Sequence, residues 1–232
     1  LLIGALERSQ CILRDRDVLV VAQKIVSKAE GRYVSLADVK PSQRAAALAL
    51  EVDKDPRLVE LILAQSDEVI RYRRGVLVVA HRLGFVMANA GIDQSNIEHP
   101  DGDERVLLLP ENPDRSCLVL KERLERHFGV TIGVVINDSF GRAWRNGVVG
   151  VALGAAGLPA LQDLVGQPDL FGRPLRVTQI AFADEIAAAA SLVMGQAGEG
   201  RPAVLVRGLK WEDRDISPAR ALIRLKEDDL FR

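Results

Sequence analysis

Two stretches that are apolar at nearly every position, Val18-Leu19-Val20-Val21-Ala22 and Val130 to Ile136, constrain the fold more than anything else in the chain. A strand with one wet face alternates apolar and polar residues, so an unbroken β-branched run is typical of a strand buried on both faces. Both runs give way to polar residues. The first delivers Gln23-Lys24-Ile25-Val26-Ser27-Lys28-Ala29-Glu30-Gly31-Arg32, and the second leads into Asn137-Asp138-Ser139-Phe140-Gly141-Arg142, read as an acidic turn where a buried strand surfaces. In layered folds of strands and helices, strand ends are where ligands gather.

A third polar stretch, Asn89-Ala90-Gly91-Ile92-Asp93-Gln94-Ser95-Asn96, comes after the strand-like Val76 to Ala80 and Gly84 to Ala88. Glycine supplies unusual backbone angles, and Asn, Asp and Ser bond to turn backbone, so a purely structural turn explains these residues as well as a site does. Two oxygen-rich turns after two strands raise a shared cation and phosphate site as the alternative.

The 232 residues, 48% of them hydrophobic, are enough to bury one domain or two closely joined lobes. With 31 basic and 32 acidic residues the chain lacks the charge for a general grip on nucleic acid or an anionic membrane. Cys11 and Cys117 have no zinc-knuckle or disulfide-framework spacing, which fits a reducing cytoplasm. No uncharged apolar run reaches the roughly 20 residues that cross a bilayer. The chain opens without Met, and Leu1, Leu2, Ala5 and Leu6 have the spacing of a helix already under way, so the expectation is that the amino terminus is truncated.

Further along, Arg14 to Asp17 reads as a polar turn. Pro41 to Ala64 reads as helical, with Ser42 as a cap and a second start at Asp55-Pro56. Ser66 to Arg74 is charged, and Pro100 to Arg115, with three prolines and many acids, reads as a surface excursion. Leu118 to Phe128 has helical spacing ending at Gly129 in a cap position. Gly147 to Gly154 has no Lys-Ser/Thr ending and is not a Walker loop, so close packing explains its glycines. Leu175 to Phe182 reads as a strand, Asp184 to Met194 as an alanine-rich helix, Gly195 to Arg201 as a glycine-rich loop and Ala203 to Val206 as a strand.

Magnesium takes oxygen ligands and uses one or two carboxylates together with substrate phosphates, a role that suits Asp93 and Asp138. Ser139 offers a hydroxyl, and Asn96 an amide for a phosphate or a nucleobase. Lys24, Lys28, Arg142 and Arg145 can neutralise phosphoryl oxygens, the arginines bidentately. Together these residues form a kit for phosphoryl transfer. His81, His99 and His127 share no ligand spacing, which leaves His81 a structural residue. There is no G-x-S-x-G elbow and no evident histidine for Ser139, which argues against a serine hydrolase. Trp144 with Arg145 can stack on an aromatic ring or pack half-buried.

Gln23 to Arg32, Ala88 to Asn96, Asn137 to Arg142 and Ala183-Asp184-Glu185-Ile186-Ala187 resemble, in the same order, the signature segments of the coenzyme F420-0:L-glutamate ligase (F420 γ-glutamyl ligase) family. The resemblance spans nearly the whole chain as one domain over residues 1–232. It implies an α+β fold with a mixed sheet, two closely associated lobes and an intertwined homodimer; periodicity alone gives only mixed α and β. It also implies a GTP-dependent ligase in coenzyme F420 biosynthesis, one that adds L-glutamate to the phospholactyl end of the deazaflavin F420-0, extends the tail through γ-linkages, and releases GDP and phosphate.

On that resemblance, Asp93 and Asp138 bind a first divalent metal, magnesium or manganese, and Ser139 and Gln196 a second, with potassium as a further cation. Asp93, Asp138 and Ser139 are the catalytic candidates. Gln23, Lys24, Lys28 and Asn96 contact GTP, joined by the loop Met194, Gly195, Gln196, Ala197, Gly198, Glu199, Gly200 and Arg201. The family carries a further nucleotide-contacting loop upstream of this chain's first helix, so weaker GTP binding is expected without it. Two other readings remain at this point: a non-catalytic F420-binding or assembly module, and a metal-dependent phosphatase or nucleotide hydrolase.

Overall fold

A computed structural model describes residues 1–97 and 102–230; the readings of His99, Pro100 and Asp101 lie outside the described residues. In chain order come α1 (Leu2–Arg8), β1 (Val18–Ala22), α2 (Gln23–Ala29), β2 (Tyr33–Ser35), α3 (Gln43–Val52), α4 (Pro56–Ala64), β3 (Ser66–Arg73), β4 (Val76–His81), β5 (Val86–Ala88) and β6 (Arg105–Leu107). The second half holds α5 (Pro113–Phe128), β7 (Gly133–Arg142), β8 (Arg145–Ala156), β9 (Gln162–Asp163), β10 (Gln179–Ile180), α6 (Phe182–Met194) and β11 (Ala203–Val206). The chain is α+β, with a mixed sheet and two compact units.

The first unit comprises Leu1–Gln23, Asn112–Ser139 and Val149–Leu222. Its sheet has the order β11-β1-β7-β8, with β1 parallel to β7 and antiparallel to β11. Val18 to Val21 are all buried, as are Val134, Val135 and Ile136, so the unbroken apolar runs do mark strands covered on both faces. Alternate residues of a strand share a face. Val18, Val20, Val135 and Ala152 accordingly form one core with Ala183, Ile186, Ala187, Ala190 and Met194 of α6 and with Trp211. The small residues of α6 let it lie very close to β8. A Cβ on Gly150 would sit 2.4 Å from the Ala187 carbonyl oxygen, and one on Gly154 would sit 2.4 Å from the backbone of Pro113, so both glycines serve close packing.

Helix α5 starts at Pro113, five residues before the Leu118 expected from spacing. Asn112 caps it by accepting from the Arg115 N–H at 3.0 Å, Pro113 occupies the first turn where its missing N–H costs nothing, and Gly129 closes it at φ 68°. The Asp114 carboxylate then accepts from the Ala155 and Ala219 N–H groups, at 2.9 and 2.8 Å.

The polar turn before β1 hides a buried charge. The Asp17 side chain is 1% exposed and takes both Arg207 Nε and Nη2 at 2.8 Å, with the Arg14 N–H also at 2.8 Å. Burial alone would raise this carboxyl; the Arg207 guanidinium and the Arg14 N–H outweigh it and hold the group below its ordinary value.

The second unit comprises Lys24–Glu111, Phe140–Val148 and Ile223–Arg232. Here β3, β4 and β5 form an antiparallel sheet and β2 pairs with β6. Helices α3 and α4 bury Ala45, Ala49, Val52, Leu58, Val59 and Ile62 against Leu77 and Val79 of β4. Ser42 and Asp55 cap these helices as expected, accepting from the Ala45 and Arg57 N–H groups.

Ser66–Arg73, read from sequence only as charged, is a strand with its charged residues at exposed positions. Three expectations need correction. The described part of Pro100 to Arg115 is no surface excursion, because Val106, Leu107, Leu108 and Leu109 are buried; prolines and acids on either side conceal a four-residue apolar run. Leu175 to Phe182 is extended only at Gln179–Ile180, and Phe182 already begins α6. Asn137 to Arg142 is not a turn: β7 continues through it, and the reversal comes at Ala143 and Trp144. Among the described residues no helix is long and apolar enough to cross a membrane.

Because the Asp17 carboxyl is depressed in the fold, its contribution to stability is present above the unfolded value of about 3.9 and is lost as pH falls through the lower folded value. Arg207→Met is therefore expected to lower the urea midpoint at pH 7, and the gap from the parent should shrink below about pH 4. A gap that stays constant from pH 7 to pH 3 would contradict this assignment.

Candidate functional site

In the first unit, the end of β1, the start of β11 and the part of β7 just past its pairing with β1 bring polar residues together. The parallel register sets Ala22 beside Asn137, so Gln23 and Asp138 are the next residue on each chain segment. Strand β11 runs the other way, with Ala203 opposite Val21, and the Ala22 N–H donates to the Pro202 carbonyl at 2.8 Å. The glycine-rich loop that leads into β11 therefore arrives at the same end.

Contacts bind these segments together. Ser139 Oγ donates to Gln196 Oε1 at 2.6 Å, and Asp138 Oδ1 accepts from the Ser139 N–H at 2.8 Å. Beneath them the buried Asn137 amide donates to Ser191 Oγ at 2.9 Å and lies 3.4 Å from the Met194 sulfur, tying β7 to the end of α6. Within the loop the Glu199 carboxylate accepts from the Ala197 N–H at 2.8 Å, and such backbone donors hold it below its ordinary value. Gly195, at φ 76°, leaves room for that fold-back, since a Cβ there would lie 2.2 Å from Glu199 Cδ. Arg201 reaches the Val193 carbonyl at 3.5 Å. Gln196, Ala197, Gly198, Glu199 and Gly200 are otherwise exposed, while Gln23 and Met194 are buried.

The second unit holds the other cluster. Helix α2 turns Lys24 and Lys28 to one face, as their spacing predicts. Lys24 Nζ donates to Ser95 Oγ at 2.9 Å and lies 3.1 Å from Asp93 Oδ1, and Lys28 Nζ donates to the Asn96 carbonyl at 2.6 Å. The turn that carries these acceptors is set by three successive left-handed residues, Asn89, Ala90 and Gly91, at φ 52°, 53° and 64°. Asn89 Oδ1 accepts from the Leu77 N–H at 3.2 Å, and a Cβ on Gly91 would lie 2.6 Å from the Met87 methyl and 3.0 Å from Leu109 Cδ2, so a side chain there would displace its neighbours. Asp93 is then fixed by a backbone pair to Leu107, its N–H donating at 3.0 Å and its carbonyl accepting at 2.9 Å. Burial raises the Asp93 carboxyl above its ordinary value, and the nearby Lys24 and Lys28 offset this only in part.

Each cluster thus offers a carboxylate with hydroxyl or amide oxygens, and among the described residues no three His, Cys, Asp or Glu side chains gather. Such sparse oxygen sets fit magnesium or manganese, which complete their shells with water and substrate phosphate, and do not fit a histidine or cysteine zinc site. Asp93 and Asp138 belong to different units. Arg142 and Arg145 are exposed and join neither cluster through any ion pair among the described residues. His81 is buried, accepts from the Leu83 N–H at 2.9 Å and is pushed down to about 4 by burial, as a structural residue would be. The partner of Ser139 is an amide oxygen, not a histidine. The Asn137–Ser191 bond leaves no mark in local sequence, because its partners are 54 residues apart; the one hint is an amide directly after an apolar run.

The family model for F420-0:Gamma-glutamyl ligase matches residues 1–208, which hold both clusters. This chain belongs to the F420-0:γ-glutamyl ligase family. Curated relatives named coenzyme F420:L-glutamate ligase include that of Methanopyrus kandleri, 49% identical over 223 residues, which are 95% of this chain and 87% of the relative. That of Methanothermobacter thermautotrophicus is 47% identical over 233 residues, covering 100% of this chain and 91% of its own, and that of Methanocaldococcus jannaschii is 40% identical over 224 residues, covering 97% and 88%. Every site residue carried over from the family resemblance falls inside the matched range.

Because Lys24 contacts Asp93 and Ser95 together, Lys24→Gln and Ser95→Ala should be non-additive. A coupling of about 0.5 kcal/mol or more is expected from a double-mutant cycle read by urea denaturation, whereas independent sites add.

Proposed function

We propose that this chain is a ligase that joins L-glutamate to coenzyme F420-0 with consumption of GTP. One observation carries the reading: three of the four segments that resemble the family's signatures set their polar residues in two clusters inside the stretch matched by the family model, Lys24 and Lys28 with Asp93, Ser95 and Asn96 in one, and Asp138 and Ser139 with Gln196 in the other.

A carboxylate is a poor acyl donor, so the reaction divides into two transfers. The terminal carboxylate oxygen of F420-0 attacks the γ-phosphorus of GTP, the bond to the β-phosphate oxygen breaks, and GDP leaves. The glutamate amine then attacks the resulting acyl phosphate, loses a proton, and expels inorganic phosphate as the amide forms. Lys24 and Lys28 supply positive charge for phosphoryl oxygens, and their short anchors to Ser95 and the Asn96 carbonyl hold the ammonium groups in place. Asn96, Gln23 and the loop Met194 to Arg201 bind the nucleotide. Asp93, Asp138, Ser139 and Gln196 would hold divalent metal, which when bound neutralises charge on the phosphates. The Ser139–Gln196 contact keeps two of those oxygens together beforehand.

Incubating the protein with F420-0, glutamate, GTP and magnesium or manganese should yield, by mass spectrometry, F420-0 extended by glutamate. GTP turnover should require F420-0 and glutamate together. GTP hydrolysis independent of both would favour a nucleotide hydrolase instead. Asp138→Ala should abolish ligation, a loss of at least about 100-fold, as for removal of a group that stabilises transferring charge, with only modest change in stability. Near-normal ligation in that variant would remove Asp138 from the site.

A further inference from the structure

The hairpin between β7 and β8 ends in an exposed aromatic and two exposed cations that neither cluster uses. Trp144 is 89% exposed and sits at φ 63°, a left-handed conformation that a residue without special need avoids. The half-buried packing offered for it from sequence is not found. Arg142 ends β7 and Arg145 begins β8, so they flank a two-residue connection. Residues that flank such a connection face one another across the ladder, where two like charges repel. Both guanidinium groups are exposed, with no ion pair among the described residues. The base of the tip is fixed, in contrast: Phe140 is buried and stands edge-on to Phe85, with centroids 5.8 Å apart at 88°.

An anchored tip that presents an exposed indole beside two exposed cations fits a ligand with a flat aromatic face and a nearby anion. The indole stacks on the ring, a guanidinium adds to the stack or pairs with the anion, and the anion relieves the Arg142–Arg145 repulsion. We propose that Trp144, Arg142 and Arg145 recognise the planar deazaflavin of F420-0 and the phosphate attached beyond it. The proposal rests on the ligase reading and deepens it by giving the acceptor's ring a binding element. A guanine nucleotide shares this chemistry, flat ring plus phosphate, so the test treats the two ligands separately.

The chain has two tryptophans, and the other, Trp211, is buried under the Arg16 guanidinium, 5.1 Å from its ring centre. Trp144 is therefore the one expected to be quenched by iodide. In Trp211→Phe, F420-0 should protect Trp144 from iodide and GTP should not; the difference between the parent protein and Trp144→Phe reads the same signal should Trp211→Phe fail to fold. Trp144→Ala should weaken F420-0 binding about tenfold by equilibrium dialysis while GTP affinity is unchanged, and Trp144→Phe should retain most of it. The proposal is overturned if Trp144 is already shielded without ligand, if GTP alone protects it, or if Trp144→Ala binds F420-0 as the parent does. F420-0 bound tightly but away from Trp144 would leave the ligase reading standing, whereas no binding of F420-0 to either protein would end both.

Discussion

Strand β1 is the member on which the arrangement of functional residues in the first unit depends. It is bonded along both edges, parallel to β7 and antiparallel to β11, and buried from Val18 to Val21. Those two pairings settle which residues gather where β1 ends: Gln23 after β1, Asp138 just past the part of β7 that pairs with β1, and the loop before β11. The Asp17–Arg207 ion pair sits at the opposite end of the same strand and fixes its entry. A register slip of one residue would turn each apolar side chain of β1 to the other face. With both faces buried, such a slip would keep residues apolar, so the hydrogen bonds and the polar ends, more than the pattern, define the register.

The second cluster depends on backbone strain rather than on sheet register. Asn89, Ala90 and Gly91 are held left-handed in succession, and only the last has no Cβ to penalise it. The Asn89 amide bond to Leu77 and the buried Ala90 compensate locally. This directs Asp93 into its backbone pair with Leu107 and offers Ser95 and Asn96 to the two lysines of α2.

How far the sequence foretells this differs by element. Caps and helix ends are readable because their signals are local: Ser42, Asp55-Pro56 and Gly129 each act within a few residues. The buried strands are readable because unbroken Val-rich runs have few other uses. Strand β3 is not, since its outward positions carry the charges of a loop, and neither is the buried stretch Val106 to Leu109, flanked by prolines and acids. The acidic stretch at Asn137 looks like a turn because Asp, Ser and Gly favour turns; here strand pairing overrides propensity and keeps the same side chains inside β7, just past its pairing with β1. Spacing places Lys24 and Lys28 on one face, but nothing local tells that Ser95 and the Asn96 carbonyl receive them. That information lies in long-range packing.

Both lysines of α2 reach into a single short turn, Lys24 to Ser95 and Lys28 to the Asn96 carbonyl, with three residues of helix between them. Each residue of a helix advances the side-chain direction by about 100°. One residue added or removed between Lys24 and Lys28 would swing one ammonium group off the turn while leaving charge and helix propensity intact. Length, not residue identity, is the property of this segment least able to drift, and a natural relative with an altered count there would need a different way of presenting positive charge.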